Sequence, residues 1–184
     1  KVGYSEDDGS TIKYHYYPIT NKGKIVGYER RDLDNKKFLA IGSVKNKDEF
    51  FGQSKFAPGS CKRIVVTEGA LDAMSIQQVW KDKEQEWAVV SIINGAQGAY
   101  KQVASNLSYL NSFEEVVFLF DQDEAGQDGA KACARLVRTG KAKIGVLGRY
   151  GKDASDYLIA GNTYELEEAI WNAETYSPAG LVNS

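Results

Sequence analysis

Past residue 62 the chain repeats one pattern: a short apolar run closed by polar or glycine positions, then a stretch with helical spacing. The runs at 64–67, 87–93, 116–120 and 143–147 are rich in Val, Ile, Leu and Phe. Within Val116-Val-Phe-Leu-Phe120 no polar residue alternates, as expected of a strand covered on both faces of a sheet. Between the runs, residues 70–81 place Leu71, Met74 and Val79 roughly on one face, and Tyr100, Val103, Leu107 and Leu110 recur at helical intervals. Ala125, Ala132, Cys133, Leu136 and Val137 form a third apolar face, and two short helices are expected after Asp153, ending near Ala173. Such strand and helix alternation predicts a mainly parallel sheet with right-handed crossovers, flanked by helices.

The first third of the chain reads differently. Residues 11–19 and 24–31 are rich in Tyr, Ile and Val and are separated by Thr20-Asn-Lys-Gly23, which predicts a hairpin, with residues 36–42 as a further strand. Phe56-Ala-Pro-Gly-Ser60 breaks regular structure and marks a boundary. The expected class is therefore α/β (α+β overall), in three parts. A small β-rich subdomain spans residues 1–60, a parallel-sheet domain spans 61–174, and residues 175–184 begin a linker to a downstream domain, with Pro178 and Gly180 ending the last helix.

Charge sharpens this division. The net charge of −2 conceals 13 Lys and Arg against 8 Asp and Glu through Arg63, a balance of +5, followed by 10 against 17, a balance of −7. A basic part suits phosphates and an acidic part suits metal ions. Two cysteines and one histidine cannot build a four-ligand zinc site, and Cys61 and Cys133 read as reduced thiols of a cytosolic protein. No apolar run approaches the length that spans a bilayer. The first residues resemble no signal peptide, and without an initiator Met the chain reads as a piece of something longer.

The candidate chemistry lies where the apolar runs end. Asp121 and Asp123 follow the 116–120 run, at the carboxyl edge where open α/β sheets bind ligands. With one residue between them on extended chain, both carboxylates point to one side and favour a hard cation. A solvated loop is the plainer reading of that pair. Glu68 closes the 64–67 run, Gly69 gives a tight turn, and Asp72 falls in the first turn of the next helix. A Glu on one strand and an Asp pair on its parallel neighbour make a more specific signal than either alone. An EF-hand is excluded because Ala125 and Ala132 stand where carboxylates are needed, and Ala125 also disfavours an Asp-nucleophile phosphatase.

Other stretches keep two readings. Asn94-Gly-Ala-Gln-Gly98 lies on the acidic edge, and Asn94 and Gly95 belong either to a plain tight turn or to amides that contact a phosphate. It is neither a dinucleotide fingerprint nor a P-loop. Arg30, Arg31, Lys36 and Lys37 cluster around the hairpin, followed by Lys45 and Lys47, as a solvated face or a phosphate-binding surface. Tyr14, Tyr16, Tyr17 and Tyr28 suit sheet packing, with base stacking as the alternative, and His15 reads as a strand residue.

Thr67-Glu-Gly-Ala-Leu-Asp72 and Phe120-Asp-Gln-Asp-Glu-Ala-Gly126 resemble the paired motifs of the TOPRIM fold of bacterial-type primases, topoisomerases and some nucleases. The resemblance is closer to the primase half of the bifunctional primase-helicases of short-tailed, T-seven-like phages. It runs through residues 91–99, Lys152-Asp-Ala154 and Trp171-Asn-Ala173, with Phe51-Gly52 matching an element before the linker. It implies a DNA primase core, a nucleotidyltransferase that makes RNA primers from NTPs on single-stranded DNA in the host-cell cytoplasm.

The same resemblance implies Mg²⁺ or Mn²⁺, as two ions, with Glu68, Asp121 and Asp123 as catalytic and metal-holding acids and Asp72 and Asp153 as further ligands. Glu68 is alternatively a general base. Nucleotide and template contacts fall on the basic cluster. In the full-length protein a zinc-binding module and a hexameric helicase domain are the implied partners, with no membrane. The family's usual Arg is here Gln127, and Ser155 replaces a second acid, leaving Asp156 one place late. A TOPRIM nuclease or a non-catalytic nucleic-acid-binding module would carry much of the same pattern. A topoisomerase would need a Tyr nucleophile, and none of the eleven tyrosines has a supporting context.

Overall fold

The computed structural model describes residues 3–6, 11–42, 48–83, 87–93 and 95–178; Lys45, Lys47 and Asn94 lie outside them. Strands β1 (Gly3–Glu6), β2 (Ile12–Asn21), β3 (Lys24–Asp32) and β4 (Phe38–Gly42) form an antiparallel sheet in sequence order. The hairpin turn narrows to Lys22 and Gly23, with φ of 49° and 72°. Two successive positive φ values give the turn whose twist matches its strands, and Gly23 supplies one without strain.

The second sheet holds β5 (Arg63–Thr67), β6 (Ala88–Ser91), β7 (Glu115–Leu119), β8 (Ala142–Ile144) and β9 (Glu174–Thr175) in the order β6-β5-β7-β8-β9. All neighbouring pairs are parallel except β8 with β9. Helices α1 (Ala70–Asp82), α2 (Gly95–Ser105), α3 (Leu107–Leu110), α4 (Glu124–Ala134), α5 (Ala154–Ile159) and α6 (Thr163–Trp171) cover it.

The unbroken apolar runs follow from this double cover. Ile64, Val66, Val116 and Phe118 pack on one face with Val103, Leu110 and Cys133. Their neighbours Val65, Val117 and Leu119 pack on the other with Ile76, Trp80, Tyr157, Leu166 and Ile170. Each such side chain contributes about 1.5–3 kcal/mol by leaving water, so the strand cores fix the loops at their carboxyl ends.

Three departures from the sequence pattern have local causes. The helical spacing from Tyr100 to Leu110 is split at Asn106, whose side-chain amide donates to the carbonyls of Asp48 and Gln102. Tyr100 is exposed rather than core. In α1 the buried face runs through Ala73, Ile76, Val79 and Trp80, while Leu71 turns toward a cleft. At the far edge, Thr175 pairs with Lys143 and the Tyr176 amide donates to Ala142 at 2.9 Å, so the stretch read as linker begins bonded to the sheet.

Phe51 exchanges both backbone bonds with Ser91, at 3.0 and 3.1 Å, and Phe50 is fully buried in the parallel-sheet core. The chain is thus fastened to the second sheet before it reaches the Pro58–Gly59 turn.

Candidate active site

Because Thr67 of β5 lies opposite Leu119 of β7, the two chains leave the sheet side by side. Glu68 follows the first, Asp121 the second. The Thr67 hydroxyl donates to the Gly69 carbonyl at 2.9 Å and holds the turn into α1. Gly69 itself is extended, with φ of −121°, so its lack of a side chain serves space rather than handedness. A Cβ there would come within 2.8 Å of the Asp72 carboxylate.

Asp72 is nearly buried, and its Oδ1 accepts from the Ser155 amide at 3.1 Å and hydroxyl at 3.0 Å. Burial, with the Asp153 charge beside it, pushes its pKa up to about 6 against the Ser155 bonds. Burial first, and then the Asp121 charge, raises that of Glu68. One carboxylate oxygen of Glu68, Oε2, is buried and has no hydrogen-bond partner.

Asp121 is also raised by burial, opposed by the Lys152 ammonium 3.1 Å from its Oδ2. Asp123 caps α4 by accepting from the Gly126 amide at 2.9 Å, and Asp153 caps α5 by accepting from the Asp156 amide at 2.8 Å. A Cβ on Gly126 would stand 2.3 Å from the Asp121 carbonyl, so only glycine lets α4 approach the acidic loop this closely. The Gln127 amide donates to that carbonyl at 3.2 Å, and Gln122 N donates to the Lys152 carbonyl at 2.9 Å. The first bond holds the loop after β7 against α4, and the second ties it to the loop after β8.

Among the described residues no three His, Cys, Asp or Glu side chains enclose a single ion as they lie. The donor set nevertheless fits a hard divalent cation. It is all carboxylate oxygen, one oxygen is buried without a partner, and three of the acids are held in surroundings that penalise uncompensated negative charge.

Glu68, Asp72 and Asp153 face a cleft of about 840 Å³ beneath the antiparallel sheet. Arg31, Lys36, Tyr17 and Phe38 form one wall, and Glu68, Asp72, Lys152 and Asp153 line the other, with Gly95 also at its surface. Asp121 and Asp123 are not in these walls, but Lys152, which is, reaches Asp121. A cleft of this size accepts a nucleotide-sized ligand.

The two adjacent arginines are separated by the strand. Arg31 pairs with His15 on the cleft face, and Arg30 pairs with Tyr16 on the opposite face. There the Arg30 guanidinium sits 4.4 Å from the Tyr14 ring centre. His15 Nδ1 lies 3.1 Å from the Tyr17 hydroxyl, and burial together with Arg31 lowers its pKa, so it is neutral at pH 7. Lys37 is exposed beside the cleft residue Lys36. Sequence reasoning missed the bracing roles of Ser155, Gln122 and Gln127 and gave Lys152 no role. Position next to Asp153 was the one available signal for Lys152.

Comparison with known proteins agrees with this geometry. Residues 65–158 match the Toprim-like family model. The chain is 35% identical over 162 residues to the DNA helicase/primase of Enterobacteria phage T3, which covers 88% of this chain but 27% of that protein. The crystal structure of the primase fragment of the bacteriophage T7 primase-helicase superposes with a TM-score of 0.78 at 32% identity, over 92% of this chain and 66% of that one. A primase domain of T7, solved with the lagging-strand DNA polymerase, an RNA/DNA hybrid and dTTP, gives 0.79 at 30% identity, over 95% of this chain and 94% of that one. With its paired acidic loops on one sheet edge and its matched span covering half its length, the chain belongs to the Toprim-like family.

Proposed function

We propose that this chain is the catalytic core of a DNA primase, joining ribonucleotides on a single-stranded DNA template. The observation that carries this is the placement of Glu68 and the Asp121 and Asp123 pair on one edge, beside a cleft whose other wall holds Arg31 and Lys36. The phage relatives named for primase activity share this architecture over nearly the whole chain. We assign residues 1–60 to a basic lobe over the cleft and 61–174 to the catalytic domain. The zinc-binding module, the helicase and the host-cell cytoplasm belong to the same proposal for the full-length protein. Among the described residues no helix is long and apolar enough to cross a membrane.

In this reading Glu68, Asp121 and Asp123, with Asp153 alongside, hold two divalent ions, Mg²⁺ or Mn²⁺. These supply activation of a ribonucleotide 3′-hydroxyl and neutralisation of the leaving pyrophosphate. The remaining work falls to the chain. Arg31 and Lys36 draw triphosphate and template into the cleft by charge. Glu68 is alternatively the general base: free of an ion, its half-buried carboxylate with a raised pKa would accept the hydroxyl proton more readily than an ordinary one. Asp72, bonded twice to Ser155, locks α1 to α5 and so holds the Glu68 and Asp153 loops at a fixed distance.

The test is incubation with single-stranded DNA, the four NTPs and Mg²⁺ or Mn²⁺. Oligoribonucleotides are the expected product. Shortened DNA would identify a nuclease instead, and binding without either product would leave a nucleic-acid-binding module.

A further inference from the structure

The ammonium of Lys152 sits where a cation is wanted, 3.1 Å from Asp121 Oδ2. Its backbone is fixed on both sides: the Lys152 amide donates to Asp156 Oδ2 at 3.0 Å, and its carbonyl accepts from Gln122 at 2.9 Å. Gly151 before it has no room for a side chain, since a Cβ would meet Asp156 at 2.2 Å. Beyond this anchor the side chain is 62% exposed and lines the cleft shared with Arg31 and Lys36. A pinned Cα with a four-carbon stem lets the charge move several ångströms while the loop stays still.

We infer that Lys152 is a resident counter-ion, which fills the acidic site before a divalent ion binds and then transfers its charge to the phosphates of the nucleotide in the cleft. This rests on the acidic edge being the metal site. An ammonium satisfies a carboxylate with up to three donors but enters no coordination shell, so it competes with a divalent cation for Asp121. An exposed ion pair is weak, so displacement is easy. Once displaced, the ammonium is held by its anchor at the cleft wall, where the anionic ligand lies. One lysine therefore opposes metal binding and favours phosphate binding.

The test measures both signs. Mn²⁺ binding is followed by the electron paramagnetic resonance signal of the free ion, in wild type, Lys152→Gln, Lys152→Arg and Asp121→Asn. Loss of a weak ion pair predicts about five-fold tighter Mn²⁺ binding by Lys152→Gln, with Lys152→Arg no tighter than wild type. Calorimetric titration with inorganic tripolyphosphate in saturating Mn²⁺ should then show about five-fold weaker binding by Lys152→Gln, by the same arithmetic with opposite sign. A lysine that only braces its loop would weaken both on removal, and any result in which the two affinities do not move in opposite directions overturns the inference. If Asp121→Asn binds Mn²⁺ as wild type does, the metal-site assignment itself fails and the inference falls with it. If Asp121→Asn loses Mn²⁺ while Lys152→Gln matches wild type, only the role of Lys152 is refuted.

Discussion

Replacing Asp72 by Asn should make the metal-free protein more stable at neutral pH and leave it nearly unchanged in acid. Asp72 is nearly buried, its pKa raised to about 6 by burial and by Asp153. An unfolded aspartate titrates near 3.8. Between those values the native state binds more protons than the unfolded state, so stability falls as pH rises from about 4 through about 6, and is flat above. The difference corresponds to as much as ~3 kcal/mol lost by pH 7.5. Asn has the shape of the protonated acid, and its Oδ1 still accepts both Ser155 bonds, so the variant escapes the loss. Urea unfolding of wild type and Asp72→Asn with EDTA at pH 4, 5, 6 and 7.5 reads this directly. The two should differ by only about 0.5 kcal/mol at pH 4 and diverge to ~2–3 kcal/mol at pH 7.5. Parallel stability curves, or a less stable variant at pH 7.5, would refute the account of Asp72 as a buried, penalised carboxylate.

Three further outcomes are expected. Asp121→Ala and Asp123→Ala should both abolish ribonucleotide joining, but only Asp123→Ala removes a helix cap and should lower stability, by about 1 kcal/mol; equal unfolding midpoints, or intact activity in either, would contradict this. Arg31→Ala with Lys36→Ala should weaken single-stranded DNA or NTP binding and flatten its salt dependence, while Arg30→Ala on the opposite face should leave the slope unchanged, as measured by fluorescence anisotropy between low and moderate salt. Gly126→Ala forces a Cβ against the Asp121 carbonyl and should cost about 1–3 kcal/mol in urea unfolding, so a neutral result would show that α4 can retreat from the acidic loop.

The parallel core was legible because its signal is carried by covalent order. Five apolar residues in a row from Val116 to Phe120 demand cover on both faces whatever packs there, and the loop that follows must emerge at one edge. Glu68 and Asp121 could therefore be placed side by side before any contact was known. The weaker signals depended on partners distant in sequence. The split at Asn106 requires the Asp48 carbonyl, 58 residues earlier, to receive its amide. β9 is two exposed residues whose only reason to be a strand is the free edge of β8.

The basic cluster shows the same limit at the scale of one bond. As a run of charge, Arg30 and Arg31 are equivalent, and charge density alone assigns both to a phosphate surface. Once residues 24–32 form a strand, the two-residue period places one in the cleft and the other against Tyr14. The period was available in the sequence, but the identity of the cleft face was not. That face is set by the pairing of His15 with Arg31 and by the burial of Tyr17 and Ile19. The acidic edge, by contrast, needs no choice of face, because a loop at a strand's end is reached from the axis of the strand rather than from one side of the sheet. This is why the placement of Glu68 and Asp121 at one edge could be read from the sequence, while the cations opposite them had to be sorted by the fold.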